Sequence, residues 1–364
     1  MKVAHVTESF GGGCVVAIAT LIRGLPNHQH VVIQGVRKDE PELDTFTSLF
    51  GDATRLIKWK YTCREINLIK DFLSFVYLLI LLIKEKPDLV HLHSSKAGFI
   101  GRLVCFFLSI KCVYSTHGVS LLRKDVRRLK LKLFYFLEWI GSKFPCTIVS
   151  TSPSERELLM NKGIKSIVIC NGIEVNKDTI SNFEEAVPQI LHTSIPKLVF
   201  CNVARITEQK NPILFNQIAE SNLHHQFIWV GDGKLRNVLV SPNIIVTGWK
   251  NKNEVMDILS QSHIFLSTAL WEGLPFSVLE AMSMGKPLLL SSCVGNVDLV
   301  QNNENGFIYH SLEEVNAYIK VFEQQPYLLR TFGKNSLKLC LEKYSAKEMC
   351  ANFDKLYFSL INDK

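Results

Sequence analysis

The chain has 364 residues, 47% of them hydrophobic and 21% charged. That is about twice the usual length of one domain, so two domains are expected and a largely disordered chain is excluded. The net charge of +7 is uneven: residues 1–170 hold 24 Lys and Arg against 14 Asp and Glu, and residues 171–364 hold 17 against 20. The first half is therefore the one expected to meet something anionic.

Apolar runs of strand length alternate with longer helical runs. "MKVAHVTES" reads as a first strand ending in a glycine turn rather than as a signal peptide, and "VVAIATLIRGL" as the helix after it. "HVVIQGV" is a second strand. "FLSFVYLLILLI", residues 72–83, spans only about 18 Å as a helix, too short for a bilayer, so a buried helix is expected there. "LVHLHSS", "CVYSTHG", "CTIVSTS" and "SIVICNG" read as further strands. The pattern thins from 174 to 196 and restarts with "KLVFCNVAR", "QFIWVGDG", "NIIVTGW", "IFLSTAL" and "PLLLSS". Alternation of this kind predicts two doubly wound parallel sheets with helices on both faces. The expected division is a first domain over 1–172, a linker over 173–196, a second domain over 197–344 and a C-terminal helix over 345–364. Ten cysteines occur without a CxxC pair or metal-like spacing; reduced thiols and a cytoplasmic location are expected.

Ligands of open α/β sheets sit beyond the carboxyl ends of the strands, and the chemistry-bearing residues follow the strands. "ESFGGGC" opens the first helix with Gly12 and Gly13, whose backbone N–H groups can approach a phosphate or a sugar. "HLH" puts His91 and His93 on one face of a strand, but no carboxylate or cysteine stands beside them in sequence to complete a metal site. "SSKAG" offers Lys96 to an acceptor phosphate, against a plain capped helix start. "STHG" places His117 at a strand tip. "LLRKDVRRLKLKLFYFLEWI" mixes six Lys and Arg with leucines and aromatics and suits an anionic membrane surface, with a charged helix face as the alternative. No nucleic-acid motif is present.

In the second half, "NVARITEQKNP" places Arg205 and Lys210 across a strand-to-helix turn, where two cations suit a diphosphate. "VGDG" holds the lone Asp232, which is not a metal-binding DxD. "ALWEGLPFSVLEAMSMGKP" sets Glu272 and Glu280 eight positions apart. Pro275 is expected in the first helical turn, so the backbone of Gly273, Leu274, Pro275, Phe276 and Ser277 can face a negative group. One carboxylate is then left for hydroxyls on each side. A nucleotide sugar, a diphosphate with polyols at both ends, fits that arrangement.

These blocks resemble the retaining glycosyltransferases of family 4 with the GT-B fold. The strongest likeness is the E-x7-E of Glu272 and Glu280. "HLHSSKAG", "STHG", "NGI", "ARITEQKNP", "VGDG" and "GNVDLV" follow in the family's order over nearly the whole chain. Bacterial enzymes that build O-antigen, capsule or exopolysaccharide units look most similar. The resemblance implies two Rossmann-like domains facing across a cleft, with the C-terminal helix returning to the first. It implies that Arg205 and Lys210 hold the donor diphosphate and that Glu280 accepts from the ribose. Glu272 and His117 would contact the transferred sugar, and Gly12 and Gly13 would lie under the diphosphate. It further implies a retained configuration, front-face attack with no metal or other cofactor, and a lipid-linked saccharide acceptor at the inner face of the cytoplasmic membrane. Ala204 departs from the glycine that many relatives carry before the arginine. Other readings of the same fold are an epimerase, a phosphorylase or a non-catalytic sugar-nucleotide-binding scaffold.

Overall fold

The computed structural model describes residues 1–35, 49–50, 54–63, 65–175 and 197–362. The chain forms two compact units, the first from Met1–Leu122, Val126–Gly172 and Ala346–Lys364, the second from Arg123–Asp125 and Ile173–Ser345. The linker expected over 173–196 lies outside the described residues from 176 onward.

The first unit holds strands β1 (Lys2–Thr7), β2 (Gln29–Gly35), β3 (Arg55–Trp59), β4 (Leu89–His93), β5 (Lys111–Ser115), β6 (Thr147–Ser150) and β7 (Ile167–Val168). Its helices begin with α1 (Gly12–Gly24), α2 (Leu68–Glu85), α3 (Ser95–Leu108), α4 (Arg128–Gly141) and α5 (Pro153–Met160). All seven strands pair in parallel, in the order β3-β2-β1-β4-β5-β6-β7. The direction of winding reverses between β1 and β4, the position where such sheets open to ligands.

The second unit repeats the plan with β8 (Val199–Val203), β9 (Gln226–Val230), β10 (Ile244–Val246), β11 (Ile264–Ser267), β12 (Leu288–Ser291) and β13 (Gly306–Tyr309). Between and after these strands run α6 (Pro212–Ser221), α7 (Lys252–Gln261), α8 (Phe276–Ser283), α9 (Leu312–Gln324) and α10 (Tyr327–Lys343). The order is β10-β9-β8-β11-β12-β13, with the switch point between β8 and β11. Strands such as "LLLS" of β12 are continuous apolar runs because both faces are covered. Phe200 and Phe227 stack at 4.8 Å, and Phe215 meets Trp229 edge-on at 4.9 Å, in a core that excludes water completely at all four rings.

The last helix, α11 (Ala346–Asn362), belongs to the first unit. Its apolar stripe, Met349, Cys350, Phe353 and Tyr357, packs into a cluster with Val3, Leu21, Leu25, Leu89, Val113 and Val149. Burying each of the larger side chains contributes about 1.5–3 kcal/mol.

Helix α2 corrects one expectation. The "FLSFVYLLILLI" run is a helix, but only one side of it is buried, through Ser74, Leu78, Leu81 and Leu82. Leu68, Ile69, Phe72, Leu73, Ile80 and Ile83 face outward. The run is apolar all round, so sequence alone does not say which face meets the core. Among the described residues, no helix is long and apolar enough to cross a membrane.

Candidate active site

The cation–carboxylate centre forms at the β8/β11 switch point of the second unit. β8 ends at Val203 and leads into the turn bearing Arg205 and Lys210; β11 ends at Ser267 and leads into the segment bearing Glu272. Cross-bonds hold the two segments together. Thr268 Oγ1 donates to the Lys210 carbonyl at 2.7 Å, Leu270 N donates to the Gln209 carbonyl at 2.8 Å, and Gln209 Nε2 donates to the Trp271 carbonyl at 2.9 Å. That frame sets the Lys210 ammonium in a direct ion pair with Glu272 Oε1, both largely shielded from water. Gln209, between the two cations in "ARITEQKNP", carries no signal of this role in sequence.

Arg205 lies in the same turn but is exposed, and it forms no ion pair among the described residues. The turn beneath it is held by Ala204 N donating to Val230 O at 2.9 Å and Ile206 N donating to Asp232 O at 2.9 Å. Asp232 itself accepts from Gly233 N at 2.7 Å and from Arg236 at 2.9 Å, so its carboxylate serves the turn. Gly295 comes so close to the Gly273 carbonyl that a Cβ there would lie 2.3 Å from it, and its φ of +84° also favours glycine. The "GN" of "GNVDLV" is thus the wall behind the glutamate segment.

Helix α8 starts one residue later than expected. Pro275 is its N-cap, in extended conformation (φ −73°, ψ 124°), and not a first-turn residue. The ladder begins with Leu279 N donating to the Pro275 carbonyl at 3.3 Å. The amides of Phe276 and Ser277 therefore lie ahead of it, as an anion-binding helix end requires. Glu280 sits one turn in, half-buried, and its carboxyl has no hydrogen-bond partner among the described residues. Burial pushes its pKa from 4.5 up to about 7, opposed by Lys252. A carboxyl raised on folding makes the protein most stable below the unfolded value, and stability falls as pH rises from about 4.5 through about 7. Glu280→Gln is therefore expected to raise thermal stability at pH 8 by roughly 1–3 kcal/mol and to flatten that pH dependence, as differential scanning fluorimetry will register.

The remaining predicted residues lie in the first unit. Gly12 opens α1 at φ +58° with open space where a Cβ would stand, so backbone conformation alone selects glycine there; Gly12 and Gly13 are both exposed. Lys96, in the first turn of α3, spends its ammonium on Asp71 at 2.8 Å and on the Glu65 carbonyl at 2.6 Å. Its charge stabilises the start of α2. His117 follows β5 in a left-handed turn (φ 47°) and is half-buried. Burial takes its pKa to about 4. Glu155, which carries no signal in sequence, holds this turn. Its fully buried carboxylate accepts from the amides of Gly118 at 3.1 Å, Val119 at 2.7 Å and Thr151 at 2.8 Å, and from the Thr151 hydroxyl at 2.9 Å.

The expectation that no cysteine lies near "HLH" is corrected. Cys14, from the first turn of α1, brings its sulfur within 4.8 Å of ligand nitrogens of His93 and His117, and His5 comes equally close to His91 and His93. Both nitrogens of His93 are already hydrogen-bonded, to His5 at 3.2 Å and to His117 at 2.9 Å, so a cation would have to displace both contacts.

Two doubly wound parallel units, one with an arginine, a lysine–glutamate pair and a helix N-terminus at its switch point, have the architecture of the GT-B class. The profile described as "Glycosyltransferase Family 4" matches residues 11–177, and that described as "Glycosyl transferases group 1" matches residues 183–339. The UDP-Gal:alpha-D-GlcNAc-diphosphoundecaprenol alpha-1,3-galactosyltransferase of Escherichia coli is 30% identical over 93% of this chain and 92% of its own. Among solved structures, sucrose-phosphate synthase from Thermosynechococcus elongatus superposes with a TM-score of 0.80 at 14% identity, covering all of both chains. Anabaena HepE, solved with UDP and glucose, gives 0.77 at 15% identity over 99% of this chain and all of that one. The chain belongs to glycosyltransferase family 4.

Proposed function

We propose that this glycosyltransferase moves a sugar from a nucleoside-diphosphate donor to a lipid-linked saccharide, with retention of configuration and without a metal ion, in the assembly of a bacterial surface polysaccharide. The observation that carries the proposal is the largely shielded Lys210–Glu272 pair, with Arg205 in the same turn exposed and without an ion pair among the described residues. The donor diphosphate draws on Arg205 and Lys210 as counter-charges, and the first-turn amides of α8 face its oxygens. As Lys210 turns to the phosphate, Glu272 is released to accept from hydroxyls of the transferred sugar. Glu280 accepts from the ribose; a hydroxyl donates best to the ionised carboxyl, so donor affinity should rise with pH through about 7. His117 serves a hydroxyl of the transferred sugar, and Gly12 and Gly13 offer exposed backbone for the diphosphate.

In the chemical step the acceptor oxygen bonds to the anomeric carbon on the face from which the phosphate leaves. The departing phosphate oxygen takes the acceptor's proton, so no protein base is consumed. The side chains supply position and charge. The E. coli relative, by its name, acts on a sugar diphosphate of undecaprenol, which favours a lipid-linked acceptor here. Incubating the protein with UDP-, GDP- and dTDP-sugars and a synthetic polyprenyl-diphosphate saccharide is expected to give product from one donor. Proton NMR should show the donor's anomeric configuration unchanged, and EDTA dialysis should leave the rate as it was. An inverted product, or a rate lost to EDTA and restored by Mg²⁺ or Mn²⁺, would refute retention or metal independence respectively.

A membrane-facing surface in the first unit fits that acceptor. On α4, Leu129, Leu133, Phe136 and Ile140 form one exposed stripe at helical spacing beside exposed Arg127, Arg128 and Lys132. α4 packs on α3, whose Phe106 and Phe107 are exposed, and α3 packs on α2 with its own outward apolar face. Apolar side chains rimmed by cations suit an anionic bilayer at the inner face of the cytoplasmic membrane. The protein is expected to sediment with vesicles containing phosphatidylglycerol, not with pure phosphatidylcholine, and to lose most binding in a Leu129→Asp/Phe136→Asp double variant.

A further inference from the structure

Three imidazoles climb diagonally across the first sheet and a fourth lies at the top of the climb. β2, β1, β4 and β5 are successive neighbours. Val3 is level with His30, Thr7 with His93, and His93 with Ser115. His5 therefore stands one strand over and two residues above His30. His93 takes the same step from His5, and His117 the same step from His93. Steps of two residues keep the strand-borne rings on one face.

The contacts are continuous. His30 Nε2 meets the Leu25 carbonyl at 3.0 Å, and His5 Nε2 meets His30 Nδ1 at 3.1 Å. His93 Nε2 meets His5 Nδ1 at 3.2 Å, and His117 Nε2 meets His93 Nδ1 at 2.9 Å. The nearby His91 does not compete, since its nitrogens face the hydroxyls of Tyr357 at 2.6 Å and Ser115 at 2.8 Å.

A neutral imidazole has one N–H and one lone pair. Burial lowers the pKa of His30 and His117, and moves those of His5 and His93 well below the ordinary value, so all four are neutral at pH 7. A carbonyl only accepts. His30 must then hold its hydrogen on Nε2, which leaves Nδ1 to accept from His5 Nε2–H. The same parity passes through His93 to His117. A reversed chain would set His30's lone pair against the Leu25 oxygen at 3.0 Å.

We propose that this chain locks His117 as the Nε2–H tautomer, so that His117 presents Nδ1 to its ligand as a hydrogen-bond acceptor only, with His5, His30 and His93 as positioning residues. Nδ1 of His117 has no partner among the described residues. It selects a hydroxyl donor, as on a neutral sugar, and repels a phosphate or carboxylate oxygen. This deepens the role given above to His117 and rests on it. Glu155 fixes the backbone of the same turn, so both the ring's place and its polarity are set from below.

The test is histidine-selective ¹⁵N labelling of the full chain, with long-range proton–nitrogen correlation to assign tautomers and His117→Gln to identify the His117 signals. Wild type is expected to show His117, His93, His5 and His30 all protonated on Nε2 only. His117 protonated on Nδ1, or as imidazolium at pH 7, would overturn the proposal. His30→Leu removes the anchor and should yield a mixture of His117 tautomers with roughly a tenfold loss of kcat/KM, the size of one hydrogen bond. His30→Gln, whose amide can donate to Leu25 and accept from His5, should restore both the single tautomer and most of the rate. A His30→Leu protein that keeps one tautomer would also sink the chain. If the spectra hold but His117→Ala transfers sugar at the wild-type rate, the sugar-contact reading fails and the chain survives.

Discussion

Glu272→Ala is expected to lower kcat by about a hundredfold or more, with donor affinity changed much less. Glu272 is 7% exposed, and the segment that carries it is pinned to the Lys210 turn by the bonds of Thr268, Leu270 and Gln209, so its carboxylate keeps its place when Lys210 turns to the phosphate. As the anomeric carbon loses the phosphate, positive charge develops on the sugar ring and its hydroxyls become stronger donors. A fixed carboxylate close to those hydroxyls gains most at that moment, which is the condition for an effect on kcat rather than KM. Initial rates at saturating donor, paired with calorimetric binding of the nucleotide, separate the two. A turnover within about threefold of wild type would remove Glu272 from the catalytic set. Glu272→Gln, which keeps the shape and an acceptor but not the charge, should fall between.

Lys210→Ala is expected to be the more damaging change at the other end of the pair, because it lowers both activity and stability. The Glu272 side chain is 8% exposed and that of Lys210 19%. Removing the lysine strands the less hydrated of the two charges, at a cost of about 3–5 kcal/mol when such a pair is fully buried and less here. Loss of its contact to a diphosphate should reduce kcat/KM by roughly 10–150-fold, the worth of a charge-assisted hydrogen bond. Arg205→Ala provides the contrast. Arg205 is exposed and forms no ion pair among the described residues, so its loss should reduce transfer by a similar factor and leave the melting temperature within about a degree. Equal destabilisation by both variants would count against this division of labour.

Much of the architecture is legible in the sequence because parallel strands covered on both faces are written as uninterrupted apolar runs. "LVHLH" and "LLLS" both stand as interior strands, paired on both sides. The strands that escape notice are edges: β3, "RLIKW", places charges at 55 and 58, and β13, "GFIY", has four residues. Edges need fewer apolar residues and tolerate charge, so their pattern is weak. The glutamate block is legible because Pro275 and the spacing of Glu272 and Glu280 are local. The partnership of Lys210 with Glu272 joins segments 62 residues apart, and no local pattern encodes it. The histidine diagonal is hidden for the same reason. It exists only through strand register, and read one by one His5 and His30 are two unremarked residues in apolar runs. Glu155 looks like a solvated helix residue, yet it is fully buried under the His117 turn.

The return of α11 to the first unit sets an order of events on the ribosome. Val3, Leu21 and Val113 emerge early in synthesis, but Phe353 and Tyr357, which cover them, are more than 200 residues away along the chain. Until those arrive, the nascent first half carries an uncovered greasy strip, while the core of the second unit is built from residues between Leu198 and Phe332 and can collapse without α11. Chaperone dependence should therefore concentrate on the earlier-made portion, and a stall shortly before residue 346 would leave a half-finished protein that clumps rather than a shorter one that works.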